Sequence, residues 1–384
     1  MRNRWVALLL VVPLLAAGPV AAGPRPPVVA DRTAPAGPAG VVSSSTGCVS
    51  DWYVSYFGQT SWVLVHSDPE GLPLSDLRFD RGYNDPTDSS KGYLDFNHDG
   101  RSDVFSAVPM DGGDYRWRYV SPGPGTASTN WSDWTDLAFA DTPPDQLRFG
   151  DFNGDGYTDV FSTLDQGGGL LQWRVSFSGT DSFQNLAAAT TPLDQLRFGD
   201  FNADGKTDVF TLQDLSGGEL GWEVSYSGTA SYQQIFSYTQ PLSAMAFGDL
   251  NYDGHTDVFT TLPAGGVNYD WYYSSAGSNS FQYIATRPRG VHNVLLAGNF
   301  DPLPSTPDGY GGTDFFYTTL RLDGAYQWMY SHINKNNTGF DDMQLAYDTT
   351  PPDQLRFGDF NGDGVTDVFK LQQRCALHLP LVTK

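Results

Sequence analysis

The sequence predicts an all-β protein, a six-bladed β-propeller in which strands from both chain termini share one blade. Three observations support this prediction. An acidic, glycine-containing motif recurs along the chain, short apolar strands flank each copy, and the two ends of the chain carry complementary half-units. Sequence repeats with a period of several tens of residues are the signature of arrays and propellers.

The repeated motif is clearest in the segment 149–161, which reads FGDFNGDGYTDVF. Counted from the first acidic residue, intact copies start at Asp95, Asp151, Asp200, Asp249 and Asp359. A degenerate sixth copy starts at Asn299, and successive starts are 56, 49, 49, 50 and 60 residues apart. This spacing is typical of propeller blades and longer than most helical repeats.

Each repeat contains four predicted strands. A short Leu-Arg-Phe strand precedes the acidic loop, a Thr-Asp-Val-Phe strand follows it, and an alternating strand led by Trp comes before the fourth. Period-two alternation between glycine-rich turns predicts antiparallel strands, and four such strands make one blade. The equivalent tryptophans number six, which predicts six blades: Trp52, Trp117, Trp173, Trp222, Trp271 and Trp328.

The two ends of the chain complete one blade in this interpretation. The last loop has one further predicted strand after it, and the Trp strand at 51–56 has no loop before it. Sharing a blade removes the unpaired sheet edges of an open ring. Cys48 and Cys375 align with two positions of a single hairpin turn. We therefore predict a Cys48–Cys375 disulfide, worth about 4–5 kcal/mol in the chain-entropy model; two free thiols are the alternative.

The acidic loops have the pattern D-x-N-x-D-G-x-x-D, which offers oxygen ligands at positions 1, 3, 5 and 9 and a carbonyl at position 7. Ca²⁺ prefers six to eight oxygen ligands, and Gly at position 6 allows the chain to turn back with positive φ. Three carboxylates in one loop repel each other without a cation. We therefore predict about five structural Ca²⁺ ions, one per intact loop. The predicted ligands are Asp95, Asn97, Asp99, Arg101, Asp103, Asp151, Asn153, Asp155, Tyr157, Asp159, Asp200, Asn202, Asp204, Lys206, Asp208, Asp249, Asn251, Asp253, His255, Asp257, Asp359, Asn361, Asp363, Val365 and Asp367.

Other interpretations of the loops are weaker. An EF-hand needs a Glu at position 12, where these loops carry Ser, Thr or Lys, and zinc sites need Cys and His at ligand spacing. Asp, Asn and Gly also build ordinary turns, but five copies that keep every ligand argue against turns alone. The sixth loop, Asn299–Asp314, is interrupted by a proline-rich insertion, and whether it binds calcium stays open.

The repeated motif resembles the FG-GAP/VCBS repeat and is similar to the calcium-binding blades of integrin α-subunit propellers. The resemblance covers nearly all of residues 48–375. It implies a β-propeller with Ca²⁺ in the loop between the first and second strand of a blade. Proteins of this kind serve in adhesion, in glycan binding and as appendages to enzymes, so the resemblance implies fold and ion better than ligand.

The N-terminal segment predicts export. Residues 1–22 have the basic start, apolar run and small-residue cleavage site of a signal peptide; an uncleaved anchor is the alternative. Residues 23–47 are predicted to be a disordered Pro/Ala/Ser-rich linker, and residues 48–384 form the propeller. We expect a secreted monomer without a membrane span in the mature chain.

The composition restricts the partners. A formal net charge of −22 disfavours nucleic acid and anionic membrane surfaces. We find no nucleophile, metalloprotease or phosphate-binding motif, so we predict a non-enzymatic extracellular binding or adhesion module for a protein or glycan. A lectin is the first alternative, and a polysaccharide lyase or hydrolase the second.

Two repeated features leave the ligand open. Most aromatic residues lie on alternating strand positions, where packing between blades is the expected use and a glycan platform the alternative. The second feature is an arginine at one repeated position, which either pairs with loop aspartates or contributes to an anion-binding ring: Arg78, Arg148, Arg197 and Arg356.

Overall fold

A computed structural model describes most of the predicted propeller. The described residues are 47–58, 61–79, 94–125, 129–251, 253–288, 296–300, 313–333 and 340–375. The predicted signal peptide and all of the predicted linker except Gly47 lie outside them.

The described residues form six four-stranded antiparallel sheets, which are the six predicted blades. Blade 1 comprises β3 (Leu77–Arg78), β4 (Val104–Pro109), β5 (Tyr115–Val120) and β6 (Thr135–Ala140). Blade 2 comprises β7 (Arg148–Gly150), β8 (Asp159–Asp165), β9 (Leu171–Ser176) and β10 (Gln184–Ala189). Blade 3 comprises β11 (Arg197–Gly199), β12 (Asp208–Asp214), β13 (Leu220–Ser225) and β14 (Gln233–Tyr238).

The second half of the ring repeats this order. Blade 4 comprises β15 (Met245–Gly248), β16 (Asp257–Gly265), β17 (Asn268–Ser274) and β18 (Gln282–Arg287). Blade 5 comprises β19 (Leu296–Gly298), β20 (Asp314–Leu320), β21 (Tyr326–Ile333) and β22 (Phe340–Asp348). Blade 6 combines β23 (Arg356–Gly358) and β24 (Asp367–Cys375) with β1 (Cys48–Ser55) and β2 (Val63–Asp68).

Single 3-10 turns lie at two kinds of connection. Turns between the third and fourth strands of a blade are Tyr56–Gly58, Phe177–Gly179, Tyr226–Gly228 and Ser275–Gly277. Turns that lead into the next blade are Leu74–Asp76, Pro144–Gln146, Leu193–Gln195, Leu242–Ala244 and Pro352–Gln354. The acidic loops therefore lie beside the first kind of turn, on the side where first strands end and second strands begin.

The closure of the ring by both chain ends is confirmed. Strand β1 pairs with β24 along its whole length, from Cys48 opposite Cys375 to Ser55 opposite Val368. The predicted Cys48–Cys375 disulfide is present, and it joins residues 327 positions apart. The shared blade thus has both backbone hydrogen bonds and a covalent bond across the chain ends.

The predicted blade tryptophans are the centre of the core. All six are buried on the third strands of their blades. An aromatic residue from the next blade covers most of them, as Phe183 covers Trp117 with ring centroids 5.6 Å apart and Tyr232 covers Trp173 at 5.4 Å. Packing between blades, the first interpretation of the aromatic pattern, is therefore confirmed for these residues. Burial of such large side chains strongly stabilises the propeller.

Candidate metal centre

Each acidic loop connects the first and second strands of its blade and folds over its own first carboxylate. In blade 2 the amides of Gly154 and Asp155 donate to Oδ1 of Asp151 at 2.7 and 3.1 Å. The amide of Gly156 donates to Oδ2 of the same residue at 2.9 Å. Gly156 has φ of +86°, so the predicted left-handed turn at position 6 is confirmed.

The side chains at positions 3 and 5 lie next to each other. Oδ1 of Asn153 accepts from the Asp155 amide at 2.9 Å, and Nδ2 of Asn153 donates to Oδ2 of Asp155 at 3.0 Å. Oδ1 of Asp155 accepts from the Tyr157 amide at 3.0 Å. Asn153 is half-buried and Asp155 is exposed, so the oxygens of both side chains lie at the outer side of the loop.

The carboxylate at position 9 anchors the loop to the adjacent turn. Oδ2 of Asp159 accepts from the Phe152 amide at 2.8 Å, and Oδ1 accepts from the Ser178 amide at 2.7 Å. Ser178 has φ of +51° within its 3-10 turn. The same pair of amide bonds is given to the position-9 carboxylates of three other blades: Asp208, Asp257 and Asp367.

Burial makes these carboxylates hard to ionise. It raises the pKa of Asp159 to about 7, and nearby Asp151 and Asp155 add to the rise while the two amide bonds oppose it. Burial likewise raises the pKa of Asp208 and of Asp257 to about 7. When these carboxylates ionise, their negative charge is poorly solvated and is only partly stabilised by the amides.

Blade 1 lacks one of these amide donors. Pro122 follows Ser121 at the position where Ser178 donates in blade 2, and proline has no N–H. Oδ1 of Asp103 is consequently buried without an amide donor. Burial raises the pKa of this carboxyl well above its usual range, while the Phe96 amide and the Ser121 hydroxyl oppose the rise. A buried oxygen of this kind is the atom that a hard cation would bind.

The five intact loops have the same hydrogen-bond plan. A position-6 amide donates to the position-1 carboxylate in each, on Asp95, Asp151, Asp200, Asp249 and Asp359. Within the part of the chain that the structure describes, however, no three His, Cys, Asp or Glu side chains form a ready-made metal cluster. The carboxylates of each loop lie in one turn, and their partners in this structure include backbone and side-chain amides.

Position 7 shows a feature that the sequence did not reveal. Nη1 of Arg101 lies 3.2 Å from Oδ2 of Asp99, and Nδ1 of His255 lies 3.1 Å from Oδ1 of Asp253. The loop pattern predicts only the carbonyl of this residue as a ligand. In these two loops the position-7 side chain also contacts the position-5 carboxylate.

The interrupted loop of blade 5 keeps the amide bond to its last carboxylate. The Phe300 amide donates to Oδ2 of Asp314 at 2.6 Å, as in the intact loops. Nδ2 of Asn299 donates to the Gly364 carbonyl at 2.6 Å. Asp301 and Asp308 lie outside the described residues. Whether this loop binds calcium therefore stays open, as in the sequence analysis.

Neighbouring loops are joined by a hydroxyl residue at position 8. The Asp151 amide donates to Oγ1 of Thr207 at 2.8 Å, and the Thr207 amide donates to the Asp151 carbonyl at 2.7 Å. The contact requires Gly150, because a Cβ there would lie 2.7 Å from Cγ2 of Thr207. In every blade the amide at position 8 donates to the carbonyl of the first residue in the preceding blade's loop. The six donors are Ser102, Thr158, Thr207, Thr256, Thr313 and Thr366.

The four repeated arginines bind backbone carbonyls. Nη1 of Arg148 donates to the carbonyls of Asp145 and Leu147, and Arg78, Arg197 and Arg356 repeat this arrangement in their own turns. Arg148 also lines an open cavity of about 380 Å³ with three acidic residues: Asp145, Asp165 and Asp194. An anion in this cavity would meet three carboxylates, which disfavours the anion-binding hypothesis at this blade.

Several solved structures have a weak similarity to this chain. The structure resembles "putative TolB" from Agrobacterium tumefaciens, with a TM-score of 0.42 and 11% identity over 86% of this chain and 100% of that one. A putative 6-phosphogluconolactonase from Bacteroides uniformis gives a TM-score of 0.36 and 12% identity over 78% and 98%. An oligogalacturonate lyase in complex with manganese gives 0.35 and 8% over 78% and 90%. None of the curated proteins matches this chain significantly.

Over the described ranges, no helix has the length and apolar character needed to cross a membrane.

The acidic loops of residues 95–260 match one family model. The family model described as "FG-GAP-like repeat" matches three overlapping segments, residues 95–162, 151–211 and 200–260. Each segment begins at the first acidic residue of one loop and extends past the loop of the next blade. The chain therefore contains FG-GAP-like repeats, carried on a six-bladed β-propeller.

Proposed function

We propose that this protein is a secreted, calcium-stabilised β-propeller that acts as an extracellular binding module. One observation carries the proposal. Every intact loop places two buried carboxylates, at positions 1 and 9, and a third carboxylate at position 5 within one turn. The loop amides stabilise this charge only in part, and a divalent cation is the further partner that this set of oxygens fits.

The donor chemistry favours calcium. In blade 2 the ion would be held by Asp151, Asn153, Asp155, the carbonyl of Tyr157 and Asp159. All of these donors are oxygens, which suits Ca²⁺, whereas zinc favours Cys and His. Mg²⁺ demands near-ideal octahedral geometry and releases its water reluctantly, whereas Ca²⁺ accepts a mixed set of carboxylate, amide and carbonyl oxygens such as this loop offers.

Asp103 gives the sharpest support for an ion. Its Oδ1 atom is buried without an amide donor because Pro122 stands at that position, which leaves the Ser121 hydroxyl as the nearby polar side chain. Leaving a buried oxygen unsatisfied costs about 1–3 kcal/mol, and more for a charged group. A calcium ion in the blade 1 loop would satisfy this oxygen and offset the charge of the neighbouring carboxylates.

The expected stabilisation is modest at each site and large in total. Extracellular modules bind Ca²⁺ with dissociation constants of about 10⁻⁴–10⁻³ M. At millimolar calcium each site then contributes about 0.4–1.4 kcal/mol. Because Thr207 and its equivalents join neighbouring loops, stabilisation of one loop supports the next.

Secretion and binding are supported by the scaffold. The Cys48–Cys375 disulfide suits an oxidising compartment. The closed ring of six sheets is a rigid scaffold for its connecting loops. Binding residues are commonly found on loops that a rigid scaffold positions. We propose binding rather than catalysis, since no nucleophile–base pair was recognised in the sequence.

A calcium titration tests the calcium-stabilised fold. Protein without the signal peptide is dialysed against chelator, and its melting temperature is followed as CaCl₂ or MgCl₂ is added. We expect a rise of several degrees that saturates at millimolar calcium, a smaller rise with magnesium, and about five bound calcium ions by elemental analysis. An unchanged melting temperature together with no bound calcium would contradict the proposal.

A further inference from the structure

The junction of blades 3 and 4 exposes an aromatic cluster that extends outward from the core. Phe281 packs on buried Trp222 with ring centroids 5.6 Å apart, on Tyr238 at 4.8 Å and on Tyr272 at 6.4 Å. Tyr272 in turn lies 5.7 Å from Tyr283, which is 53% exposed. The inner end of this cluster is core, and its outer end is a tyrosine surface.

The outer tyrosines are not part of the repeat. Strand pairing places Tyr272 opposite Tyr283 and Tyr238 opposite Leu220. In the same registers of blade 2, small or polar residues replace the three tyrosines: Ala189, Arg174 and Asn185. The propeller therefore folds without aromatic residues at these positions. Tyr238 packs partly against the core of blade 3, whereas core packing does not explain Tyr272 and Tyr283.

The equivalent surface between blades 1 and 2 is closed by an arginine. The guanidinium of Arg174 lies 4.2 Å above the ring of Phe183. It also donates to Oγ1 of Thr142 at 2.6 Å, on the side of blade 1. Between blades 3 and 4, Tyr272 and Tyr238 contact Phe281 instead of an arginine. The surface there consists of the faces and edges of aromatic rings.

Polar groups lie beside the tyrosines. The Tyr283 hydroxyl is 2.9 Å from Oγ1 of Thr286, which hydrogen-bonds to Oδ1 of Asp270 on the adjacent strand. We define the tyrosine patch as Tyr238, Asp270, Tyr272, Tyr283 and Thr286. It combines apolar ring surface with one hydroxyl network and one carboxylate acceptor.

This combination matches the chemistry of a sugar. A pyranose ring has C–H faces that pack on aromatic rings and an equatorial rim of hydroxyls that donate to carboxylates and hydroxyl oxygens. Tyrosine suits such ligands because it offers an apolar body with a polar end. The patch is an open surface, which fits a segment of a polysaccharide chain better than a small molecule that needs an enclosed pocket.

The charge of the patch selects among polysaccharides. Asp270 is acidic, the patch contains no basic residue, and the whole chain has a net charge of −22. An acidic polysaccharide would be repelled. Resting on the proposed binding function, we infer that the tyrosine patch binds a neutral polysaccharide.

Affinity electrophoresis in native gels tests this inference. The gels contain soluble β-glucan, xylan, mannan or galactan, and the calcium-loaded protein is run beside Tyr272→Ala and Tyr283→Asn. The latter introduces the blade 2 residue. We expect at least one neutral polysaccharide to retard the wild type, and each variant to weaken binding about tenfold, in line with the loss of one aromatic contact.

Phe139→Ala is the matched control. Phe139 lies on the fourth strand of blade 1 and is 64% exposed, so the substitution removes an exposed aromatic ring outside the patch. It should leave retardation unchanged. Melting temperatures of all variants verify that each one is folded.

The outcomes separate this inference from the proposed function. If a neutral polysaccharide retards the wild type and the tyrosine variants equally, the patch is not the site, although the binding function stands. If no neutral polysaccharide retards the wild type, or if only a protein ligand depends on the tyrosines, the inference is wrong. The calcium titration decides the calcium-stabilised fold independently of either result.

Discussion

The hydroxyl of Ser102 in blade 1 accepts a 2.6 Å hydrogen bond from the backbone amide of Asp359 in blade 6, across 257 residues of sequence. The Ser102 amide donates back to the Asp359 carbonyl at 2.7 Å. This reciprocal pair joins the first and last acidic loops of the chain. The ring is therefore closed at the loops as well as at the shared blade.

Replacing Ser102 should destabilise the closed ring. In Ser102→Ala the buried amide of Asp359 loses its acceptor, and an unsatisfied buried donor costs about 1–3 kcal/mol. The measurement is the free energy of unfolding from urea titrations in calcium. Ser102→Thr is the control, because four other blades place threonine in the same reciprocal contact. An alanine variant as stable as the threonine variant would show that the contact contributes nothing.

The Cys48–Cys375 disulfide should contribute more than any single hydrogen bond. Its loop spans 327 residues, and closing a loop of that size raises the free energy of the unfolded chain by several kcal/mol. We expect Cys48→Ser/Cys375→Ser to unfold at lower urea concentration than the wild type, with a larger m-value because its unfolded chain is less compact.

Reduction provides the control for this prediction. Dithiothreitol should lower the stability of the wild type toward that of the double variant and leave the variant unchanged. Equal urea midpoints for the oxidised wild type and the variant would contradict a stabilising role.

The fold could be predicted from sequence because its determinants are local and repeated. Blade number follows from counting tryptophans such as Trp173, and closure follows from the half-blades at the two ends. The disulfide could be predicted because Cys48 and Cys375 align with the two sides of one turn. Each of these inferences needs only an alignment of one repeat of the sequence with another.

The site was predicted less completely because its remaining determinants lie between blades. A Ser or Thr at position 8 recurs in all six copies, yet only the structure pairs Ser102 with Asp359. The lack of an amide donor at Oδ1 of Asp103 depends on Pro122, which belongs to a different turn. The tyrosine patch likewise becomes visible only after strand pairing places Tyr272 opposite Tyr283.

Removing one carboxylate from a loop should remove one calcium ion. Asp155 is exposed, and its contacts in the structure are to Asn153 and the Tyr157 amide. We expect Asp155→Asn to leave the melting temperature in chelator nearly unchanged, to bind about one calcium fewer, and to gain less from added calcium. The measurements are calorimetric calcium titration and melting curves.

Asp165→Asn is the matched control for charge. Asp165 is an exposed carboxylate on the second strand of the same blade, outside the loop. It should keep the calcium stoichiometry and the calcium-dependent gain of the wild type. If both variants behaved alike, the effect would be one of general charge and not of ligation.

The stability of calcium-free protein should fall as pH rises from about 4 to 7. Asp159, Asp208 and Asp257 have folded pKa values raised to about 7 from 3.8. In that interval the unfolded chain has already released these protons while the folded protein still holds them, so unfolding becomes easier as pH increases. The stability that their protonated forms contribute is fully present below pH 3.8 and lost above about 7.

Calcium should reverse this dependence, because the ion replaces the protons that the loops lose. We expect melting temperatures in chelator to decrease between pH 5 and pH 8, and the gain from millimolar calcium to increase over the same range. Differential scanning calorimetry at matched ionic strength measures both. The paired Asp51 carboxyl, whose pKa is held below its ordinary value by Arg374, acts in the opposite direction only at lower pH. A calcium-dependent gain that stayed constant from pH 5 to pH 8 would show that ion binding and loop ionisation are not linked.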